Sequence, residues 1–246
     1  MRDILTVLVN EKKNRIKGGI YNKLQVDMCY NSNLIEGSRL SHDMTRYIYE
    51  TKTVGTEPAL VNDIIEASGH FRACDMMIDR VSEPLSDEMI KDIHRTLKSG
   101  IITDDEEVLI GEYKKYPDTV GDISTTSPEN VEKEINELID RYESKTDHDI
   151  YDIIDFHACF EKIHPFYDGN GRIGRLLMFK ECLKYDIVPF FIEDTYKGYY
   201  YRGLNEWQTG GEKGFLIDTC LMMQDMMKEV LDYFRIDYQE GFGEIR

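Results

Sequence analysis

Positive charge is scarce in this sequence. Its 246 residues carry 30 Lys and Arg against 47 Asp and Glu, a formal net charge of −17. A surface this acidic repels nucleic acid and anionic membranes at long range, and binding a phosphate backbone would need a local basic patch. No run of the chain collects five basic residues, so neither partner is expected. Long apolar runs are also missing. The stretch Val188–Ile192 is far too short to cross a bilayer. Met1-Arg2-Asp3-Ile4 shows no apolar core of a secretory signal. The five cysteines (Cys29, Cys74, Cys159, Cys182, Cys220) are odd in number and scattered, with no Cys-x-x-Cys. That argues against a zinc site and a disulfide framework, and suits reduced, buried thiols in the cytosol. Six prolines and no Gly/Ser-rich linker, repeat or low-complexity tract point to one continuous domain over residues 1–246.

Apolar residues make up 41% of the chain, enough to bury a core. Helical periodicity dominates. After Ser127-Pro128, a cap followed by proline at the first helical position, Val131, Ile135, Leu138, Ile139 and Tyr142 form one stripe. Ser86 is placed to cap a second helix whose inner side holds Met89, Ile90, Ile93 and Leu97. Residues 215–234 read as a long helix. Its methionines, Met222, Met223, Met226 and Met227, suit core packing better than a partner groove. Residues 149–163 are apolar around more than half of the helical wheel, as in the centre of a bundle. Strand signals are weak; only Leu109–Thr125, with Gly111, Pro117 and Gly121, suits a short hairpin. The expected class is mainly α.

Chemistry concentrates in His164-Pro-Phe-Tyr-Asp-Gly-Asn-Gly-Arg-Ile-Gly-Arg175, a loop between the buried helix and a further helical pattern. Gly169 and Gly171 permit positive φ and Asn170 tolerates it, so successive N–H groups can turn inward as a nest. The nest sits at a helix N-terminus, which favours anions. Arg172 and Arg175, spaced i, i+3, leave the same side of that helix. Two guanidiniums beside such a nest suit a polyphosphate. Asp168 can hold Mg²⁺ together with substrate phosphates. His164 suits proton transfer near neutral pH. Base, metal ligand and phosphate cradle in one short segment form a phosphoryl- or nucleotidyl-transfer layout. The same residues match Gly-x-Gly-x-x-Gly at Gly169, Gly171 and Gly174. A dinucleotide fold, however, needs an apolar strand running into the first glycine, and a helical pattern precedes it here. His157, seven residues before His164, reads as a satisfied core histidine rather than a ligand.

The segment resembles the signature of the Fic (Fido) family, His-x-Phe-x-[Asp/Glu]-Gly-Asn-Gly-Arg-x-x-Arg, at every specified position. Leu85–Tyr113 is similar to a further family region, with Lys114 where arginine is usual, and Tyr200-Tyr201-Arg202-Gly203-Leu204 is similar to the family's nucleotide-pocket region. The likeness covers most of residues 30–235. It implies a helical domain with a β-hairpin flap, placed in the region 109–125 and centred on 116–122, and a catalytic helix–loop–helix over 149–185. It implies transfer of AMP from ATP to a Ser, Thr or Tyr hydroxyl of a target protein, with release of pyrophosphate. His164 would be the base and Asp168 the Mg²⁺ ligand. Gly169, Asn170, Gly171 and Arg172 would hold phosphates, Arg175 would fix the γ-phosphate, and Phe166 would anchor the loop. Tyr200 and Tyr201 would wall the nucleotide.

Ser32-Asn-Leu-Ile-Glu36-Gly37 also matches the family's inhibitory motif, [Ser/Thr]-x-x-x-Glu-[Gly/Asn]. The resemblance implies an inhibitory helix over 20–37 whose Glu36 pairs bidentately with Arg175 and blocks productive seating of the γ-phosphate. Removal of AMP, transfer of another phosphate-containing group, and a non-catalytic nucleotide-binding regulator stay open as alternatives. The target, with the protein itself among the candidates, and self-association are also open.

Overall fold

The computed structural model describes residues 3–56, 58–103, 109–121 and 123–239. Ten α-helices lie among them. The first five are α1 (Ile4–Asn14), α2 (Ile20–Ile35), α3 (His42–Thr51), α4 (Val61–Asp79) and α5 (Asp87–Lys98). A two-stranded antiparallel hairpin follows, β1 (Thr119–Val120) and β2 (Ile123–Ser124), pairing Thr119 with Ser124 and Val120 with Ile123. Then come α6 (Pro128–Glu143), α7 (Ile150–Ile163), α8 (Asn170–Lys184), α9 (Lys197–Gln208) and α10 (Gly214–Phe234). The class is mainly α. Asp122, at the end of the expected flap, lies outside the described residues.

Local signals explain several boundaries. Ser86 Oγ accepts from the Met89 N–H at 3.2 Å and starts α5. Pro128 occupies the first turn of α6, where its missing N–H costs nothing. Asp149 and Asp152 form a capping box at the start of α7. The end of α2 suits the glycine that follows it. The helix stops at Ile35, so Glu36 is its cap residue and Gly37 takes φ 94°, a conformation that favours glycine.

One buried cluster runs from Ile4 in α1 to Ile236 beyond α10, with α7 and α8 contributing much of its centre. A smaller one joins Cys29, Leu40, Ile48, Ala67 and Phe71 beneath α3 and α4. α8 is buried almost throughout, from Asn170 to Leu183, which leaves it no wet face. Met223 and Met227 pack into the main cluster. All five cysteines are free thiols, and four are buried. Among the described residues, no helix is long and apolar enough to cross a membrane.

Candidate active site

The loop between α7 and α8 is closed by its own side chains. His164 ends α7 in the left-handed region, φ 52° and ψ 63°, with its N–H donating to the Phe160 carbonyl at 3.0 Å. Pro165 then forbids continuation of the helix. The Phe166 N–H donates to Asn170 Oδ1 at 2.9 Å, and Asn170 Nδ2 donates to the Phe166 carbonyl at 2.7 Å. This reciprocal pair fixes the loop's width. Phe166 is fully buried, stacked on His94 with ring centroids 4.0 Å apart and flanked by Tyr113. Burial of such a ring contributes roughly 1.5–3 kcal/mol.

The glycines act differently from a simple nest. Only Gly169 has positive φ, 93°; Gly171 is already within α8. Gly171 instead faces two side-chain tips. A Cβ there would displace Glu36 Oε1 and Arg175 Nη1. The side chain of Asn170 is buried and engaged with Phe166, so it shapes the loop from within.

Two cations, Lys98 and Arg172, meet at the start of α8, in a chain of strong negative charge. Asp168 Oδ1 receives Arg172 Nη2 at 3.1 Å, and Asp168 Oδ2 pairs with Lys98 Nζ. Burial alone would raise the Asp168 pKa, but Arg172 and Lys98 outweigh it and bring it down to about 2. Glu66 on α4 sits behind them, pairing with Lys98 and, at 2.7 Å, with Arg172. Asn33 Oδ1 accepts from Arg172 Nη1 at 3.3 Å. His94 accepts the Gly111 N–H at Nδ1, 2.8 Å, so its Nε2–H donates to the Asp168 carbonyl at 3.2 Å. Burial and the Lys98 charge push His94 down to about 4, which keeps it neutral in this role.

Arg175 is 3% exposed and faces α2. Its Nη2 donates to Glu36 Oε1 at 2.7 Å and to the Ser32 carbonyl at 3.0 Å, while Nε donates to Ser32 Oγ at 3.0 Å. The contact to Glu36 is single rather than the expected fork: Nη2 serves both Glu36 and the Ser32 carbonyl, and Nη1 bonds neither. Arg175 Nη1 is buried without a hydrogen-bond partner. Ser32 is itself only 3% exposed. Behind Arg175 lies Glu161, pushed up to about 8 by burial. Burial lowers His157 to about 3, with the nearby Arg175 charge acting in the same direction.

Tyr200 is buried; it shares a hydrogen bond of 2.8 Å with His157 and lies beside Arg175. Tyr201 is partly exposed and donates to the Ile35 carbonyl at 3.2 Å, at the end of α2. On the opposite side, His164 Nδ1 lies 2.7 Å from Asp118 Oδ2, in the stretch leading into β1. Lys114, at the position where the family usually has arginine, is buried and bonds Asp118 Oδ1 at 2.5 Å.

The structure therefore brings His164, Asp168, Arg172, Arg175, Ser32 and Glu36 to one loop. Sequence reasoning missed Lys98, Glu66, His94, Asn33 and Asp118. One signal was available for two of them: His94 and Lys98 are spaced i, i+4 next to the apolar stripe of α5.

Residues 84–182 match the family model described as "Fic/DOC family". The chain carries a Fic/DOC family domain. It is 30% identical over 193 residues to protein adenylyltransferase Fic of Nematostella vectensis, covering 76% of this chain and 44% of that protein. It is 26% identical over 195 residues to protein adenylyltransferase fic-1 of Caenorhabditis elegans, covering 76% and 37%. The chain thus spans less than half the length of these Fic relatives. A Fic domain containing signaling protein from Bacteroides thetaiotaomicron has the same fold, with a TM-score of 0.74 over 93% of this chain and 94% of that one at 22% identity.

Proposed function

We propose that this chain is a protein adenylyltransferase that moves AMP from ATP to a protein hydroxyl. The observation that carries the reading is the grouping at the α8 N-terminus: a histidine, an ionised carboxylate and two buried arginines supplied by one loop. A bound triphosphate would meet Arg172 and Arg175 and the positive end of α8. The target oxygen would attack the α-phosphorus as His164 Nε2 takes the hydroxyl proton. The bond from the α-phosphorus to the bridging oxygen would break, and pyrophosphate would leave.

The donor set suits Mg²⁺. Asp168 is ionised and its side chain is half exposed, and Mg²⁺ commonly combines one or two carboxylates with substrate phosphates. When bound, the ion would neutralise phosphate charge and polarise the α-phosphorus. Asp168 would hold it, exchanging its pairing with Lys98.

The same proposal makes the domain self-restrained. Glu36 and Ser32 occupy the guanidinium of Arg175 that a γ-phosphate would need. Target protein, nucleotide selectivity and self-modification belong to this reading. The free thiols fit a reducing compartment, the cytosol.

ATP labelled at the α-phosphate and, separately, at the γ-phosphate tests the reading with Glu36→Gly protein. Label from the α-position alone should enter protein. Transfer of γ-label would make the chain a kinase, and transfer of neither would remove the transferase reading.

A further inference from the structure

The hairpin region meets the loop through one carboxylate. Asp118 Oδ2 lies 2.7 Å from His164 Nδ1. Its other oxygen is held by Lys114 Nζ at 2.5 Å and by the Thr125 hydroxyl, which also lies 3.1 Å from the Asp118 carbonyl. Lys114 is fixed in turn: it is 3% exposed, and its N–H donates to the Pro165 carbonyl at 2.9 Å, one residue past His164. Both ends of the Asp118–His164 contact are therefore anchored to the same piece of backbone. Burial would raise the Asp118 pKa, but its bonds to Lys114, Thr125 and His164 keep it below the usual carboxylate range. An ionised carboxylate only accepts hydrogen bonds. The proton of a neutral His164 must then sit on Nδ1, leaving the Nε2 lone pair free. Burial holds His164 below its usual value, so the neutral ring is the resting form near pH 7.

We propose that Asp118 is the positioning residue of the base: it fixes the His164 tautomer with Nε2 unprotonated, aims the ring, and keeps a negative charge beside the imidazolium formed when Nε2 takes the target's proton. This rests on the adenylyl-transfer reading for the identity of the reaction, though not for the tautomer. A structural role for Asp118, tying the hairpin down, would leave the electronic state of His164 unchanged. The charged groups that act on His164 are Asp118 and Lys114 from the hairpin region and Glu36 from the end of α2. Removing Asp118 removes the nearest anion, so His164 becomes harder to protonate.

The test uses Asp118→Asn and Asp118→Glu in the Glu36→Gly background. Asp118→Asn should lower kcat by about 10²-fold with KM for ATP little changed, because an amide can donate to Nδ1 and favour the wrong tautomer. The acidic limb of its pH–rate profile should move to lower pH, and Asp118→Glu should recover part of kcat. Ring-nitrogen NMR of His164 should show the Nδ1-protonated form in the parent and its loss in Asp118→Asn. An Nε2-protonated ring in the parent, or an unchanged tautomer and pH limb in Asp118→Asn, would overturn the proposal. If no protein transfers AMP, the function reading fails, while the nitrogen spectra still decide the role of Asp118.

Discussion

His164 and Arg175 bracket one loop, and each is ion-paired, yet their partners stand in opposite relations to the chemistry. Asp118 meets His164 at Nδ1, which on the proposal above leaves Nε2 for the proton transfer. Glu36 and Ser32 bond Arg175 through Nη2 and Nε, two of the three guanidinium nitrogens that the proposed γ-phosphate contact would draw on. On the proposed function, the first pairing would prepare a group and the second would occupy one. A carboxylate beside a functional side chain is therefore not by itself a sign of activation or restraint. The atom it touches decides which.

The largest effect should come from the prepared side. His164→Ala should lower AMP transfer by about 10²–10⁴-fold, the usual contribution of a positioned base. Calorimetry should show Mg·ATP binding largely kept, since His164 lies outside the phosphate cradle. Wild-type transfer in this variant would break the comparison at its root. Asp168→Ala should follow, with transfer down by about 10²-fold and the response to Mg²⁺ weakened. A wild-type Mg²⁺ titration would place the metal ligand elsewhere.

A third expectation concerns the carboxylate behind Arg175. Glu161 is raised from 4.5 to about 8 by burial, so the folded state favours its protonated form. Its contribution to stability is full below about 4.5 and is lost as pH rises towards about 8. Glu161→Gln cannot ionise. Its thermal unfolding curve should match that of wild type near pH 4.5 and lie progressively above it up to pH 8, by a few kcal/mol at most. Parallel pH profiles would mean that Glu161 is ionised in both states. The smallest effect is expected for Ser32→Ala. It removes one hydrogen bond to a buried guanidinium but keeps Glu36, so about 1.5 kcal/mol of restraint is lost and transfer rises about ten-fold. An unchanged rate would leave Glu36 as the sole competitor.

Much of this was legible before the structure. The helices with strong periodicity or clear caps, α5, α6, α7 and α10, announced themselves, and the loop motif pointed to the chemistry proposed above. α1 and α3 were not read, although Asp3 and Ser41 cap them as Ser86 caps α5. α4 mixes Gly69, His70 and Cys74 into its buried side, which blurs any stripe. The supporting charges were illegible for a different reason. Lys98 meets Asp168 across 70 residues, and Asp118 meets His164 across 46, so no local pattern records either contact. Glu36 was read by resemblance, but its single contact with Arg175 needed the structure. The role of Gly171 likewise depends on how closely Glu36 approaches α8, a distance no turn propensity contains.

The contest for Arg175 is tested most directly by self-modification at saturating Mg·ATP and matched concentration, comparing wild type, Glu36→Gly and Glu36→Gly/His164→Ala. A charge-assisted bond to a partly buried carboxylate stabilises by about 1.5–3 kcal/mol, which corresponds to roughly ten- to a hundred-fold. Intact-mass spectra should show AMP adducts forming that much faster in Glu36→Gly than in wild type, and the double variant should lose the gain. Equal rates in wild type and Glu36→Gly would contradict the restraint assigned to α2, and gain surviving in the double variant would contradict the base assigned to His164.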